Sequence, residues 1–391
     1  MLEYVNRENS NCYKWDSQEA KGTLPLWVAD MDFKAAPAIR RALQRRLDHG
    51  VFGYSIVPDA YYEAVNSWFC RRYGWSGISR ENSIPTIGVV PAVSVVIKAF
   101  QMRPRPNGDT SPLRVMTFTP AYNCFFSCIN NMGAELLDCP LTNNNGHYEI
   151  DFFKKCEDMV AAADILLLCN PHNPTGRVWT KDELLVLAGM CEAYGTTIVS
   201  DEIHGDIAMP GYKYTPLATI MGDSTDYVVF TSASKAFNIA GLQCANIFTP
   251  NKKYYQLIDR AVNIHEVCDL NPFAAVATIA AYNESEDWLR ELNAQVYNNY
   301  LLLKDAIKQL PQLRLTEMEG TYLAWVDIRS LGMSSEDFCH RLAEEKHVLL
   351  NPSEMYGGEG FVRINLATSS EILAEALKRL TAFVNKAHAY A

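Results

Sequence analysis

The sequence predicts an α/β fold with a mostly parallel central sheet, followed by a smaller α+β unit. Three observations carry this. Short apolar runs alternate with amphipathic helical stretches through the middle of the chain, the pattern of strands and crossover helices. The runs are apolar at successive positions, as in strands covered on both faces. Near residue 285 the texture changes to one long 3.6-period helix, then isolated strand and helix patterns.

In chain order, 83–86 reads as a strand that leads through Gly88-Val-Val-Pro-Ala92 into an apolar helix from Val93 to Phe100, with Pro91 suited to its first turn. Runs 115–119, 165–169, 197–200 and 227–231 read as buried strands. One helix between them is well marked. Thr180 and Glu183 make a capping-box pattern, Leu184, Leu187, Ala188 and Cys191 recur at helical spacing, and Gly195 stops it. Trp288, Leu292, Val296, Tyr300, Leu303, Ile307 and Leu310 define the long helix, which must end by Pro311. Strands at 321–328 and 361–366 and helices near 335–345 and 370–386 follow. Segments 103–112 and 141–147, rich in Pro, Gly and Asn, read as loops. The division expected is an N-terminal segment 1–48 packed with the small unit, a large domain 49–285 and a small domain 286–391.

Composition narrows the class. With 391 residues the prior is two or three domains, and 48% hydrophobic with 20% charged residues is an ordinary globular balance. A net charge of −10 disfavours nucleic acid or an anionic membrane as the main partner. No apolar run approaches the roughly 18 residues of a membrane span. The 11 cysteines are an odd number, and residues 1–10 lack the basic-then-apolar order of a secretory signal. Free thiols in a reducing cytoplasm are the expectation.

Four segments at predicted strand ends carry the chemistry, where α/β folds place ligands. Lys235, in Ser232-Ala-Ser-Lys235, lies in an apolar and hydroxyl-rich stretch, and a desolvated lysine is a nucleophile toward an aldehyde. Taken alone it is a surface lysine. Asp201 follows a buried strand and needs a partner, for which a protonated pyridine nitrogen would serve as well as an N-cap or salt bridge. In Asn170-Pro-His-Asn-Pro-Thr-Gly176, two X-Pro pairs and a glycine fix a tight loop that holds Asn173 with its amide available, or simply a turn. At Gly88–Ala92 a strand-to-helix entry offers backbone N–H groups and the helix dipole to a phosphate. Together the four describe an aldehyde cofactor with a phosphate and a pyridine ring. Asp30 and Asp32 are too few, and too far from any histidine, to suggest a metal. Cys124 and Cys128 read as small buried hydrophobes.

With those motifs in hand, the sequence resembles the pyridoxal-phosphate enzymes of fold type I in the class I/II aminotransferase superfamily, and within it the MalY/PatB group of cystathionine β-lyases, or carbon–sulfur lyases. The match is carried by Trp27-Val-Ala-Asp-Met-Asp-Phe33, Phe52-Gly-Tyr54, Asn170-Pro-His-Asn-Pro-Thr-Gly-Arg177, Ser200-Asp-Glu-Ile-His204, Ser232-Ala-Ser-Lys-Ala-Phe-Asn-Ile-Ala-Gly-Leu242 and Val362-Arg-Ile-Asn365, and it runs from about residue 14 to the C-terminal helix. The resemblance implies the aspartate aminotransferase-like fold and pyridoxal 5′-phosphate as cofactor. It implies that Lys235 links to the cofactor aldehyde and acts as general base, that Asp201 partners the pyridinium nitrogen, and that Asn173 bonds the ring hydroxyl oxygen. His204 stands where many relatives have a tyrosine for that oxygen. Tyr122 would stack on the ring, and Val89, Val90 and Ser232 would cradle the phosphate. Arg363 would grip the substrate α-carboxylate, with the backbone near Ala29 and Asp30 closing over it. Tyr54 would reach the phosphate or substrate from the partner subunit of a homodimer. One departure is Gln243, eight positions after Lys235, where many relatives carry Arg or Lys for the phosphate.

The activity this implies is α,β-elimination from L-cystathionine or a related cysteine S-conjugate, giving a thiol, pyruvate and ammonia. Two alternatives stand beside it. An aminotransferase uses the same cofactor, lysine and arginine. A cofactor-binding regulator would act through a protein partner, as relatives in this group can, on a surface separate from catalysis.

Overall fold

The computed structural model describes residues 2–104 and 110–388, so part of the loop expected at 103–112 lies outside the described residues. Seven strands form the main sheet: β1 (Ser83–Thr86), β2 (Arg114–Thr119), β3 (Glu135–Pro140), β4 (Ile165–Cys169), β5 (Thr197–Asp201), β6 (Tyr227–Thr231) and β7 (Ala245–Phe248). Their spatial order is β1-β7-β6-β5-β4-β2-β3. All neighbours pair in parallel except β7, which is antiparallel to both β6 and β1.

The doubly apolar strands are explained by two cores, one on each face. Along β4, Ile165, Leu167 and Cys169 face one core and Leu166 and Leu168 the other. Along β6, Val228 and Phe230 face the first, Tyr227 and Val229 the second. A period of two then leaves no polar face to show in the sequence. The first core is roofed by the helices Val89–Gln101 and Lys252–Ile264. The second continues into the C-terminal elements.

The marked helix spans Lys181–Tyr194 with both capping-box bonds present and Gly195 left-handed at φ 73°. The long helix spans Glu286–Lys308. Several strand ends shift by one residue, and two boundaries differ by more, for local reasons. The helix after β1 begins at Val89, four residues before the predicted start, because Gly88 caps it and Pro91 needs no N–H in a first turn. The strand expected at 321–328 is Leu323–Asp327, since Thr321 has φ 67° and cannot extend it.

A second, antiparallel sheet contains β8 (Arg314–Leu315), β9 (Leu323–Asp327), β10 (Asn351–Pro352) and β11 (Phe361–Asn365) in the order β8-β9-β11-β10. Its register sets Arg363 opposite Trp325 on one side and Asn351 on the other. Near the N-terminus, Leu24–Pro25 pairs in parallel with Val348–Leu349. The residues that follow, 26–33, bond the second sheet and its flank through Asn351, Arg363, Asn365 and Ala367, and the segment after β6 through Lys235 and Asn238. No helix among the described residues is long and apolar enough to cross a membrane. All 11 cysteines are free.

Candidate active site

Adjacent parallel strands release their following loops at one edge of the sheet, and this gathers the site. Cys169 pairs with Asp201 and Asp201 with Phe230, so the Asn173 loop after β4, the end of β5 and the Lys235 segment after β6 leave side by side. β1 has the same sense as β6, which brings the start of the Val89 helix to that edge. A cavity of about 290 Å³ opens there. That is at the lower end of small-molecule sites, which run from roughly 300 Å³ upward. Its walls include Ala29, Val89, Val90, Tyr122, Asn173, Asp201, His204 and Lys235, together with Gln243.

The Lys235 ammonium donates to the Ala29 carbonyl at 2.7 Å. Burial, and after it the Arg363 charge, pulls the amine down to about 8, against the pull of Asp30 and Asp201. Asp201 is 3% exposed and accepts the Ile203 N–H at 3.1 Å. Burial pushes its carboxyl up to about 7. His204 is buried beside Lys235 and Arg363, and burial followed by those two charges holds it well below the usual imidazole range, so it is neutral.

Arg363 is 4% exposed, with Nη1 on Asn173 Oδ1 at 3.1 Å and Nη2 on the Trp27 carbonyl at 2.9 Å. Its guanidinium lies 4.8 Å over the Tyr356 ring. Its Nε has no partner, nor do His204 Nδ1 and Asp30 Oδ1, all three buried. Orphaned buried polar atoms are costly; one of these belongs to the cavity wall at His204, and the other two to residues next to the wall, Arg363 bonded to Asn173 and Asp30 following Ala29, a pattern that suits a polar ligand.

The Asn173 loop is tied down from behind. Arg177, 2% exposed, bonds Glu183, Glu319 and the Tyr148 carbonyl. His147, Glu317 and Glu319 put donor atoms within 4.8 Å of one another there. That cluster already holds a fixed cation, since Arg177 donates to His147 at 2.9 Å and to Glu319 at 3.1 Å.

Two expected residues are placed elsewhere. The Ser232 hydroxyl donates to the Cys244 carbonyl at 2.6 Å and accepts the Ser234 N–H at 3.0 Å; Ser234, two residues on, is the serine in the cavity wall. Tyr54 is fully exposed at 102%, away from this chain's cavity, on a stretch that also exposes Val51, Phe52 and Ile56. Sequence reasoning missed Tyr322, fully buried, whose phenol donates to the Ala29 carbonyl at 2.9 Å. No motif flags it, because its role depends on a contact 293 residues away.

Asp201 gives a stability prediction. Its folded pKa of about 7 lies above the ordinary 3.8, so between those values the folded state holds a proton that the unfolded state has lost. Stability from this group therefore falls as pH rises through that window and stays low above it. The cofactor-free Asp201→Asn variant is expected to melt above the wild type, by a margin that grows from pH 5 to pH 8. Calorimetry at the two pH values checks this, and a margin that shrinks with pH contradicts it.

Residues 31–380 match the model of the family described as aminotransferase class I and II. The chain is 36% identical to cystathionine beta-lyase PatB of Bacillus subtilis, over 96% of this chain and 97% of that protein. Among solved structures it is similar to a pyridoxal-phosphate-bound protein of Clostridium difficile 630, provisionally named an aminotransferase, with a TM-score of 0.92 at 38% identity over 98% of this chain and 99% of that one. It is also similar to the pyridoxal-phosphate-bound C-S lyase of Staphylococcus hominis, with a TM-score of 0.88 at 30% identity over 97% and 96% of the two chains.

Proposed function

The chain belongs to the class I and II aminotransferase family, in the group that includes PatB, and from that membership we propose that it is a pyridoxal-phosphate-dependent carbon–sulfur β-lyase acting on L-cystathionine or a related cysteine S-conjugate. The observation that carries the reading is the convergence of Lys235, Asp201, Asn173 and a helix N-terminus on one cavity, with Arg363, its Nε unpartnered, bonded to Asn173 in the wall.

These residues fit the cofactor. Lys235 would hold its aldehyde carbon, Asp201 its pyridine nitrogen, and Asn173 with neutral His204 its ring oxygen. Tyr122 would cover the ring. The N–H groups of Val89 and Val90, which have no acceptor within their helix, and the Ser234 hydroxyl would meet the phosphate. Ser232 supports Ser234 from behind. Gln243 supplies an uncharged amide at that end. Once bound, the cofactor supplies an electrophilic carbon for the substrate amine and a ring that stores an electron pair.

The chain's own residues do the rest. Arg363 holds the substrate carboxylate, its Nε offering an unused donor, while the backbone at Ala29 and Asp30 closes the same side. Lys235, with an amine near neutral pH, removes the α-proton and later hands a proton to the departing sulfur. Asp201 keeps a negative charge against the pyridine nitrogen, and that partner compensates the burial which otherwise raises its pKa. The net reaction consumes water and gives a thiol, pyruvate and ammonia. Tyr54, wholly exposed in one chain, would be supplied to the site of a second copy, making the protein a homodimer. The free thiols suit a cytoplasmic enzyme. In this proposal residues 1–48 pack with a small domain of residues 286–391, and residues 49–285 form the large cofactor-binding domain.

An aminotransferase would use the same lysine, aspartate and arginine, so the deciding test is chemical. Purified protein with pyridoxal 5′-phosphate and L-cystathionine, but no keto acid, is expected to release pyruvate and homocysteine in equal amounts. Pyruvate or thiol absent until a keto acid is added would overturn the lyase reading.

A further inference from the structure

We propose that Tyr322 is a positioning residue for proton transfer, because its phenol and the Lys235 amine share one acceptor, the Ala29 carbonyl. The proposal rests on the reading of Lys235 as the base. An amine that is to take a proton must have its N–H groups held so that its lone pair faces the substrate. Here the holder is the Ala29 oxygen, 2.7 Å from Lys235 Nζ and 2.9 Å from the Tyr322 oxygen.

The setting makes that carbonyl distinctive. Residues 27–31 present five successive carbonyls. Trp27 is held by Arg363 and Asn351, Val28 and Asp30 by Asn365, and Met31 by Asn238. Each of those four is fixed by an amide or guanidinium group, and Asp30 also by the buried Lys14 ammonium at 3.4 Å. Ala29 alone is held by a phenol and the catalytic amine. A buried phenol needs some acceptor, so a purely structural role is the competing account.

Electrostatics separates the two accounts. The phenol directs the positive end of its O–H at the same oxygen that holds Lys235, which disfavours the charged ammonium. Asp30 and Asp201 favour the ammonium, and Arg363 opposes it. The Cys124 thiol lies in the same field, and the ring of neutral His204 stands edge-on to Tyr322 at 5.9 Å. Removing only the hydroxyl should therefore raise the pH at which Lys235 titrates and loosen its aim.

The test is Tyr322→Phe in the holoenzyme, with L-alanine as probe, because it carries an α-proton and no leaving group. Exchange of that proton for deuterium, followed by NMR, is expected to slow by about tenfold, and the acid limb of its pH profile to move up by about half a unit. Competitive acetylation of Lys235 in the cofactor-stripped protein should move the same way. If the phenylalanine variant does not fold, site-specific 3-fluorotyrosine at position 322, a stronger donor of the same shape, should move both profiles down. Unchanged profiles in the variant that folds refute the role of Tyr322. Exchange that survives in Lys235→Ala refutes instead the assignment of the base.

Discussion

Lys235→Ala is expected to lower pyruvate release from L-cystathionine by at least about 10⁴-fold, the scale on which a combined base and covalent anchor is lost. Among the described residues, Lys235 is the one amine in the cavity wall. Its neighbours cannot replace it. His204 is too weak a base, because burial and the Arg363 charge hold it well below the usual imidazole range, Asp201 already accepts the Ile203 N–H, and burial holds the Tyr122 phenol far above its ordinary range. The variant keeps the Arg363 and Asn173 contacts, so it should still bind the amino acid. Small amines in the medium should then recover part of the rate, since they fit the space left by the side chain. Pyruvate production at the wild-type rate would show that another group removes the proton.

What was legible in the sequence follows from which interactions are local. Strands β4 and β6 appeared at their observed limits because both faces are apolar, and the Lys181–Tyr194 helix because its capping box spans four residues. Strand β3 escaped notice: at the sheet edge, Glu135, Leu136 and Pro140 are exposed, so no buried pattern exists to read. Strand β7 is only four residues long and reverses direction against its neighbours, a matter of pairing that its own sequence does not record.

The same division holds in the site. Lys235, Asp201, Asn173 and the Val89 helix were visible because each follows its own strand, and parallel strands bring such positions to one edge. Ser232 and Ser234 could not be separated from spacing alone, since a single turn decides which hydroxyl faces the cavity and which binds the Cys244 carbonyl. Tyr322, and the bonds from Asn238, Asn351, Arg363 and Asn365 to residues 27–31, depend on partners hundreds of positions away.

A nearer set of contacts on the same run, from residues 7–15, leads to the second large effect. Asp32 and Lys14 are both fully buried, 2.8 Å apart, and Asp32 also accepts Trp15 Nε1 at 2.9 Å, with Arg7 at 3.4 Å. Arg7 reaches on to Asp30 at 2.9 Å, and Trp27 Nε1 donates to the Lys14 carbonyl at 2.9 Å. The N-terminal segment thus grips the run that carries Ala29 into the cavity wall. Asp32→Ala strands the Lys14 charge in a dry interior and is expected to destabilise the protein by about 3–5 kcal/mol. Lys14→Met should cost less, because Trp15 and Arg7 still serve Asp32. Joining Lys14→Met to Asp32→Ala should recover part of the loss, as removing both charges leaves neither unpaired. Urea unfolding of the four proteins measures the cycle. A double variant less stable than Asp32→Ala would mean that the pair does not act as a charge couple. Because Ala29 and Asp30 lie within the gripped run, the single variants should also raise KM for cystathionine while the Lys235 chemistry persists. An intact KM in a destabilised Asp32→Ala would show that the run keeps its place through Asn238, Asn351 and Asn365 alone.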